Sequence, residues 1–204
     1  MGCIWCLCGK SATGKDTVYR KVMEQLSGQL EPVVIYTTRP IREGEVDGKT
    51  YHFATVDFFH AHENDPRMIE SRVYHTRLGD WFYFTMDDGS LDVARQDYFM
   101  ITTLEGFEKL HRYFGPDKVK MVYIEVDDCE RLRRALNRES AQAHPRVDEV
   151  CRRYLADEAD FSPEKLSAMP MELRVENDDA DRAAAVIAAF IRENASCKTS
   201  PSVV

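Results

Sequence analysis

The sequence predicts a three-layer α/β fold in which helices cover both faces of a parallel sheet. Short apolar runs alternate with longer segments of helical periodicity, which is the pattern of repeated strand–helix units. The first apolar run also leads directly into a glycine-rich loop. Hydrophobic residues make up 44% and charged residues 30% of the 204 residues, a balance typical of globular domains.

The strands of this sheet are predicted from five apolar runs, at residues 2–8, 32–36, 98–102, 119–126 and 171–175. The first run is continuously apolar, as expected for a parallel strand buried on both faces. Because successive strand residues face opposite sides, Cys3 and Cys6 are predicted to diverge, which argues against a zinc site there. Helices are predicted over residues 14–26, 104–113, 129–138, 147–161 and 180–193.

The segment between these core elements differs in composition. Residues 37–85 are rich in aromatic side chains and arginines, which indicates a small, partly antiparallel insertion. We therefore assign residues 1–36, 97–136 and 162–193 to the core and residues 37–96 to an inserted subdomain of mixed strands. Residues 139–145 carry little hydrophobic pattern, so residues 137–161 are predicted to form a helical lid, and the polar residues 194–204 to form a flexible tail.

The strongest chemical signal is the loop that follows the first strand and opens the first helix. It matches G-x-x-x-x-G-K, whose glycines let successive backbone N–H groups turn towards a phosphate while the helix N-terminus adds positive potential. The lysine then reaches the β- and γ-phosphates of a nucleoside triphosphate. The predicted phosphate-binding residues are Gly9, Ser11, Ala12, Thr13, Gly14, Lys15, Asp16 and Thr17.

One position of this loop departs from the usual pattern. A serine or threonine usually follows the lysine and helps to hold Mg²⁺, but this chain has Asp16 there. Either Asp16 or the next hydroxyl, Thr17, is a candidate Mg²⁺ ligand. With ATP as the phosphoryl donor, Mg²⁺ is the expected cofactor.

A second anion site is predicted in the inserted segment. Arg39 and Arg42 stand three residues apart and are followed by Tyr51. Forked, charge-assisted hydrogen bonds from two arginines, with the tyrosine hydroxyl, suit one phosphate group. This pattern predicts that the protein binds a phosphorylated acceptor as well as ATP.

Taken together, these motifs and several others resemble those of the guanylate kinase family. The phosphate loop, Thr37-Thr38-Arg39 with Arg42, the Gly44-Glu45 pair, Gly48 and Tyr51-x-Phe53 stand in that family's order and spacing. Met68-Ile69-Glu70 and the segment Trp81-Phe82-Tyr83-Phe84-Thr85 resemble two further family motifs. The similarity extends to about Phe161. It implies the P-loop NTPase fold and phosphoryl transfer from ATP to a nucleoside monophosphate, with GMP or dGMP as acceptor.

The resemblance also implies roles for individual residues. Arg39, Arg42, Tyr51 and Tyr83 would hold the acceptor phosphate, and Glu70 would accept hydrogen bonds from the two adjacent N–H donors of guanine. Arg138 and Arg153 would reach from the lid to the transferred phosphoryl group, beside Lys15; Arg152 is an alternative to Arg153. Thr85 would also bind the acceptor. Two further base-reading positions of the family fall at Thr103, in place of a carboxylate, and at Ile35, in place of a serine.

The charge of the chain limits its partners. A formal net charge of −8 disfavours broad binding to nucleic acids or anionic membranes, and no apolar stretch of about 18 residues is present. The apolar start lacks a basic region, so it is not expected to be a signal peptide. We expect a cytoplasmic monomer or homodimer.

Two other functions remain open at this stage. One is a kinase of another phosphorylated small molecule, such as ribose 1,5-bisphosphate, which Gly14-Lys15-Asp16 and Thr38-Arg39-Pro40 also resemble. The other is an inactive guanylate-kinase-like module that binds a phosphorylated peptide. The intact Gly14-Lys15 argues against the second alternative.

Overall fold

The computed structural model describes residues 2–76 and 79–195 and confirms the predicted fold class. Two sheets are present, a larger parallel one and a smaller mixed one. In chain order the elements are β1 (Ile4–Cys8), α1 (Lys15–Gln25), β2 (Leu30–Pro32), β3 (Tyr36–Thr37), β4 (His52–Phe53), α2 (Val56–His62), β5 (Met68–Thr76), β6 (Gly79–Met86), β7 (Asp97–Ile101), α3 (Leu104–Phe114), β8 (Val119–Glu125), α4 (Asp128–Ser140), α5 (Val147–Asp160), α6 (Pro163–Ala168), β9 (Met171–Glu176) and α7 (Ala180–Asn194).

The core sheet consists of parallel strands in the order β2-β7-β1-β8-β9. Its central strand, β1, is buried along its whole length, which explains the continuous apolar run. Cys3 packs with Trp5 and Leu7 on one face, and Cys6 packs on the other face with Cys8. The predicted divergence of Cys3 and Cys6 is therefore confirmed.

Helices cover both faces of the core sheet. On one face α1 and α7 bury Val22 and Ile187 against Trp5, whose ring meets Phe190 edge-on at a centroid distance of 6.0 Å. On the other face α3 buries Phe107 and the side chains around it. A parallel sheet needs this double cover because both of its faces are apolar.

The small sheet has the strand order β4-β3-β6-β5, in which β3 is parallel to β4 and antiparallel to β6. Its core is aromatic: Phe59 of α2 stacks on Phe82 at 4.1 Å and packs against Phe84. Trp81 lies half-buried in β6, opposite Tyr74 of β5. These strands lie between Tyr36 and Met86, one residue beyond each end of the segment 37–85 that was predicted to be a partly antiparallel insertion.

The prediction of one strand at residues 32–36 is wrong. β2 ends at Pro32 and β3 begins at Tyr36, so residues 33–35 carry the chain from the core sheet to the small sheet. The backbone still pairs on both sides of this crossing, since Val33 N donates to Phe99 O and Ile35 O accepts from His52 N. A run of apolar residues cannot reveal that its two ends belong to different sheets.

Other differences between prediction and structure are small. α6 and α2 were not predicted as separate elements, although Ser162 caps α6 and Pro163 occupies its first turn, a standard helix-start pattern. Of the predicted flexible tail, only Asn194 and Ala195 belong to the described residues, and the remainder lies outside them. Within the described ranges, no helix is long and apolar enough to cross a membrane.

Candidate functional site

The phosphate loop lies at the carboxyl edge of the core sheet, between β1 and α1. Gly14 adopts φ 86°, and a Cβ on it would lie 2.6 Å from Asn177 Nδ2. That amide donates to Thr13 O at 2.7 Å, and Thr13 Oγ1 donates to Lys10 O at 2.9 Å. These bonds fix the curled backbone that the glycine pattern predicts.

Lys15 crosses back over this loop. Its Nζ donates to Gly9 O at 2.6 Å and to Lys10 O at 2.8 Å. Burial lowers the pKa of the Lys15 ammonium below its usual value, against an opposing effect of Asp157. Lys15 therefore lies next to the loop carbonyls, where a triphosphate on the loop would meet its charge.

The first turn of α1 opens onto a cavity of about 230 Å³. Asp16 and Thr17 are exposed there, and Arg134 and Arg138 line the opposite side. The candidate metal ligands thus face two arginines across the space beside Lys15. Arg134 was not identified from the sequence, because an arginine on a helix usually lies on a solvated face.

An acidic side chain of α5 contacts the same loop. Asp157 Oδ2 accepts from Ser11 N at 2.8 Å, and Asp157 Oδ1 lies 3.3 Å from Ser11 Oγ. Next to it, Glu158 forms an ion pair with Lys10 at 2.7 Å. The backbone N–H groups of a phosphate loop bind anions. The Asp157 carboxylate therefore accepts from a donor that a phosphate oxygen would also use.

Arg131 joins these acidic groups beneath the loop. It is 1% exposed, and its guanidinium pairs with Asp128, Asp157 and Glu158 at 3.0, 3.1 and 2.5 Å. It also lies over the ring of Tyr154 at 4.2 Å. Sequence reasoning missed this group because it pairs residues from α4 and α5 that are far apart along the chain.

Arg138 and Arg153, predicted to act from the lid, line one small cavity between α4 and α5 together with Ser11. Arg153 donates to Glu149 at 2.8 Å. Arg152 is held in a two-bond fork by the same Glu149 and is not part of the cavity wall. Of the two alternatives, Arg153 is thus the one that lies beside Arg138.

The predicted acceptor arginines have different surroundings. Arg39 is 5% exposed; its guanidinium forms a two-bond ion pair with Glu45, donates to Pro40 O at 2.9 Å and lies 4.9 Å from the ring of Tyr51. Hydrogen bonding from Arg39 lowers the pKa of Glu45 to about 2. The Arg42 side chain is exposed and has no hydrogen-bond or ion-pair partner among the described residues.

The other residues predicted to bind the acceptor lie deeper in the small sheet. Glu70 is 2% exposed, and its Oε1 accepts from Thr85 Oγ1 at 2.8 Å. Tyr83 packs edge-on against Tyr51 at 5.8 Å and against Tyr74 at 5.3 Å. The structure therefore brings together Arg39, Tyr51, Tyr83, Glu70 and Thr85 on the small sheet.

A cavity of about 620 Å³ connects the two halves of the site. It is lined by Lys15 and Ser11 from the loop, by Arg72 and Tyr74 from β5, and by Thr103. Arg39 and Arg42 do not line it. Arg39 is connected to it through its contact with Tyr51, since Tyr51 packs on Tyr83 and Tyr83 packs on Tyr74. The Thr103 hydroxyl also caps α3, because it accepts from Gly106 N at 3.1 Å. Arg72 was not identified from the sequence.

Comparisons with known proteins agree with this geometry. The sequence profile of the guanylate kinase family matches residues 3–194. The chain is 32% identical to the guanylate kinase of Chlorobaculum tepidum, over 90% of this chain and 88% of that protein, and 31% identical to that of Paramagnetospirillum magneticum, over 89% and 79%. Its fold is similar to the crystal structure of guanylate kinase from Anaplasma phagocytophilum, with a TM-score of 0.61, 21% identity, and coverage of 97% and 88%.

Proposed function

Because this chain belongs to the guanylate kinase family, we propose that it transfers the γ-phosphoryl group of ATP to the phosphate of GMP or dGMP. It is an ATP-dependent nucleoside monophosphate kinase. The observation that carries the proposal is the shared cavity, in which Lys15 of the phosphate loop lies opposite strand β5, which also carries Glu70. Lys15 from the donor side and Thr103 from the acceptor side thus open onto one space, and Glu70 lies next to it through its ion pair with Arg72.

On the donor side, the protein binds and neutralises the triphosphate. Backbone N–H groups of residues 9–14 would take phosphate oxygens, and Lys15 would lie beside the β- and γ-phosphates. Arg138 and Arg153 would bind the equatorial oxygens of the transferred group from the lid side. The loop cavity shared by Lys15 and Arg138 supports this assignment.

The residues at the first turn of α1 fit Mg²⁺. Carboxylate and hydroxyl oxygens are the ligands that Mg²⁺ prefers, and it commonly takes only one or two from the protein, with phosphate and water supplying the rest. Asp16 and Thr17, both exposed on the loop cavity, would hold it. When bound, the ion would neutralise phosphate charge.

On the acceptor side, the protein positions the attacking phosphate. Arg42 and Arg39, with Tyr51 and Tyr83, would bind the acceptor phosphate, while Glu70 would accept from the guanine ring. No general base is needed, since the attacking phosphate is already an anion. The barrier is lowered chiefly by bringing two anions into line, neutralising them and excluding water.

The charge of the chain and the chemistry of the site are compatible with the expected location, partners and oligomeric state. The net charge of −8 fits a cytoplasmic protein whose partners are ATP and a small acceptor rather than nucleic acid or membrane. Monomer and homodimer are equally compatible with this chemistry. A panel of nucleoside monophosphates and sugar phosphates, including ribose 1,5-bisphosphate, tests the acceptor through ADP release, with GMP and dGMP expected to give the highest kcat/KM.

Lys15→Ala tests the donor site. We expect kcat to fall about 100- to 1000-fold, the usual effect of losing one charge-stabilising donor from a preorganised site, with acceptor affinity retained. Lys21→Ala is the matched control, since Lys21 lies in the same helix and ion-pairs with Asp181 at 2.6 Å. Turnover of Lys15→Ala equal to that of Lys21→Ala would contradict the proposal.

A further inference from the structure

Strand β5 places an arginine beside the base-reading glutamate. Alternation along the strand puts Glu70, Arg72 and Tyr74 on one face, and their neighbours in β6 include Thr85 and Tyr83. The Arg72 side chain is 19% exposed and the Glu70 side chain 1% exposed. Arg72 also lines the cavity that Lys15 and Thr103 share. Arg72 therefore lies between Glu70, the residue proposed to read the base, and the cavity of about 620 Å³.

The contact between the two side chains is loose for an ion pair. Arg72 Nε lies 3.2 Å from Glu70 Oε2, and Arg72 Nη2 donates to Glu70 Oε1 at 3.4 Å. Charge-assisted pairs of this type usually have distances of about 2.7–2.9 Å. Glu70 and Arg72 thus neutralise each other without using their full hydrogen-bonding capacity on each other.

Unused capacity is present on both partners. Among the described residues, Glu70 Oε2 and Arg72 Nε lie 3.2 Å apart without forming a hydrogen bond, and neither of these buried atoms has a hydrogen bond to any other group. A guanidinium carries five N–H donors, and a carboxylate can accept at about four sites. A buried polar atom left in this way is costly unless a ligand pairs with it. The pair therefore offers an unused acceptor and unused donors side by side.

We infer that Arg72 is a specificity-determining residue that reads the carbonyl oxygen of the acceptor base while Glu70 reads the adjacent ring N–H. The inference rests on the proposed function, because it concerns the acceptor of the same reaction. A donor next to an acceptor complements the O=C–N–H edge of a 6-oxopurine, which presents O6 beside N1–H. Adenine presents an amino group beside a ring nitrogen that carries no hydrogen. Its amino donor would therefore meet the donors of Arg72, and its ring-nitrogen acceptor would meet the carboxylate of Glu70.

The neighbouring residues leave this role to Arg72. Ile35 has no side-chain hydrogen-bonding group, and the Thr103 hydroxyl, which accepts from Gly106 N, has a single neutral O–H to donate. Thr85 already donates to Glu70 Oε1. Compared with these three side chains, Arg72 is thus the one that is charged and offers several donors for a carbonyl oxygen.

The test measures kcat/KM for GMP, IMP and AMP in the wild type, Arg72→Lys and Arg72→Met. GMP and IMP share O6 and N1–H and differ in the 2-amino group. We expect Arg72→Met to lower kcat/KM for GMP and for IMP by the same factor, about 10- to 100-fold, which is the usual effect of losing a charged hydrogen bond. The AMP value is expected to change much less, so the GMP/AMP ratio collapses. Arg72→Lys keeps the charge but loses the fork, and should recover part of that ratio.

Two controls separate base reading from structural damage. Glu70→Gln should lower kcat/KM for GMP more than kcat/KM for IMP, because the 2-amino group of GMP loses its charged acceptor. Arg72→Lys should leave the ratio of the GMP and IMP values unchanged. Arg95→Met removes an arginine whose side chain is 87% exposed and should change neither ratio. Should Arg72→Met fold poorly because it leaves the buried Glu70 without a countercharge, Arg72→Lys still decides the question.

The outcomes distinguish this inference from the proposed function. If wild-type protein phosphorylates none of the nucleoside monophosphates, the proposed function itself fails. If wild-type protein phosphorylates GMP while both Arg72 variants keep the wild-type GMP/AMP ratio, only the role of Arg72 is overturned. An equal loss for GMP, IMP and AMP would also overturn it, since that would indicate a contact with the common phosphate or ribose.

Discussion

Arg39 and Arg42 lie three residues apart, yet their side chains have different surroundings. The Arg39 guanidinium is buried against Glu45 and two aromatic rings, so it stabilises the local fold of the loop in addition to carrying a positive charge. The Arg42 side chain is exposed, and only its backbone N–H contacts Glu45, at 2.8 Å. At the scale of single residues, the same amino acid thus has a buried, paired guanidinium in one place and, in the other, an exposed guanidinium that we propose binds the acceptor.

This difference predicts separable effects of substitution. Arg42→Ala should raise the KM for the acceptor about 10- to 100-fold, the effect of one lost charged hydrogen bond, and leave Tm unchanged. Arg39→Ala should raise the same KM and also lower Tm, because it leaves Glu45 without its partner. Initial-rate kinetics and thermal unfolding of both variants measure this. A large fall in Tm for Arg42→Ala would contradict it.

The residues that sequence could locate share a local signature. Gly9, Gly14 and Lys15 belong to one short motif whose spacing reflects the shape of the loop itself. Arg131 and Asp157 have no such signature, because their pairing depends on how α4 packs against α5. Arg72 was missed for a related reason, since only the register of β5 against β6 shows which side of the strand it occupies.

At the scale of elements, α5 is attached to the phosphate loop through acidic side chains. Asp157 accepts from the Ser11 backbone, and Glu158 ion-pairs with Lys10. Any phosphate oxygen that uses the Ser11 N–H must compete with the Asp157 carboxylate for it. The position of the lid helix and the availability of the loop are therefore coupled.

Asp157→Asn tests this coupling. An amide is a weaker acceptor than a carboxylate and does not repel phosphate, so the Kd for ATP should decrease several-fold, since one charged hydrogen bond contributes about 1.5–3 kcal/mol and is only partly lost. Calorimetric titration with ATP measures this. Asp148→Asn, which removes the same charge from an exposed position of the same helix, is the control. Unchanged or weaker ATP binding by Asp157→Asn alone would contradict the coupling.

Elements of the core sheet were easier to predict than those of the small sheet. The inner core strands β1, β7 and β8 are largely apolar because both of their faces are covered. Helices α3 and α7 begin at side-chain caps, Thr103 and Asp179. β3 and β4 have two residues each, which is too short for a periodic pattern. Their pairing depends on the crossing at residues 33–35, which the sequence presented as one strand.

At the scale of the whole molecule, the two sheets have separate hydrophobic cores. The core sheet is packed by α1, α3 and α7, and the small sheet by its own aromatic cluster around Phe84. The cavity lined by Lys15 of the phosphate loop and Arg72 of β5, which we propose as the site of the reaction, lies between the two sheets. Stability of the core should therefore be separable from the chemistry in the cleft.

Ile187→Ala tests this separation. Ile187 is fully buried in α7, so its truncation should lower the free energy of unfolding by about 2–5 kcal/mol. The KM values for ATP and acceptor should stay at wild-type levels well below Tm. Val186→Ala, at an adjacent side chain that is 45% exposed, should change stability little. Chemical denaturation with activity assays checks both, and a raised KM in Ile187→Ala would contradict the separation.

The two tryptophans of the chain are divided between these two bodies, Trp5 in the core sheet and Trp81 in the small sheet. Trp5 is 2% exposed and enclosed by apolar side chains, whereas Trp81 is half-buried beside Tyr74, which lines the cavity. The intrinsic fluorescence of the protein therefore combines one emitter that monitors unfolding with one that lies near the acceptor. Trp5→Phe would leave Trp81 alone as a label-free optical probe for titrating acceptors.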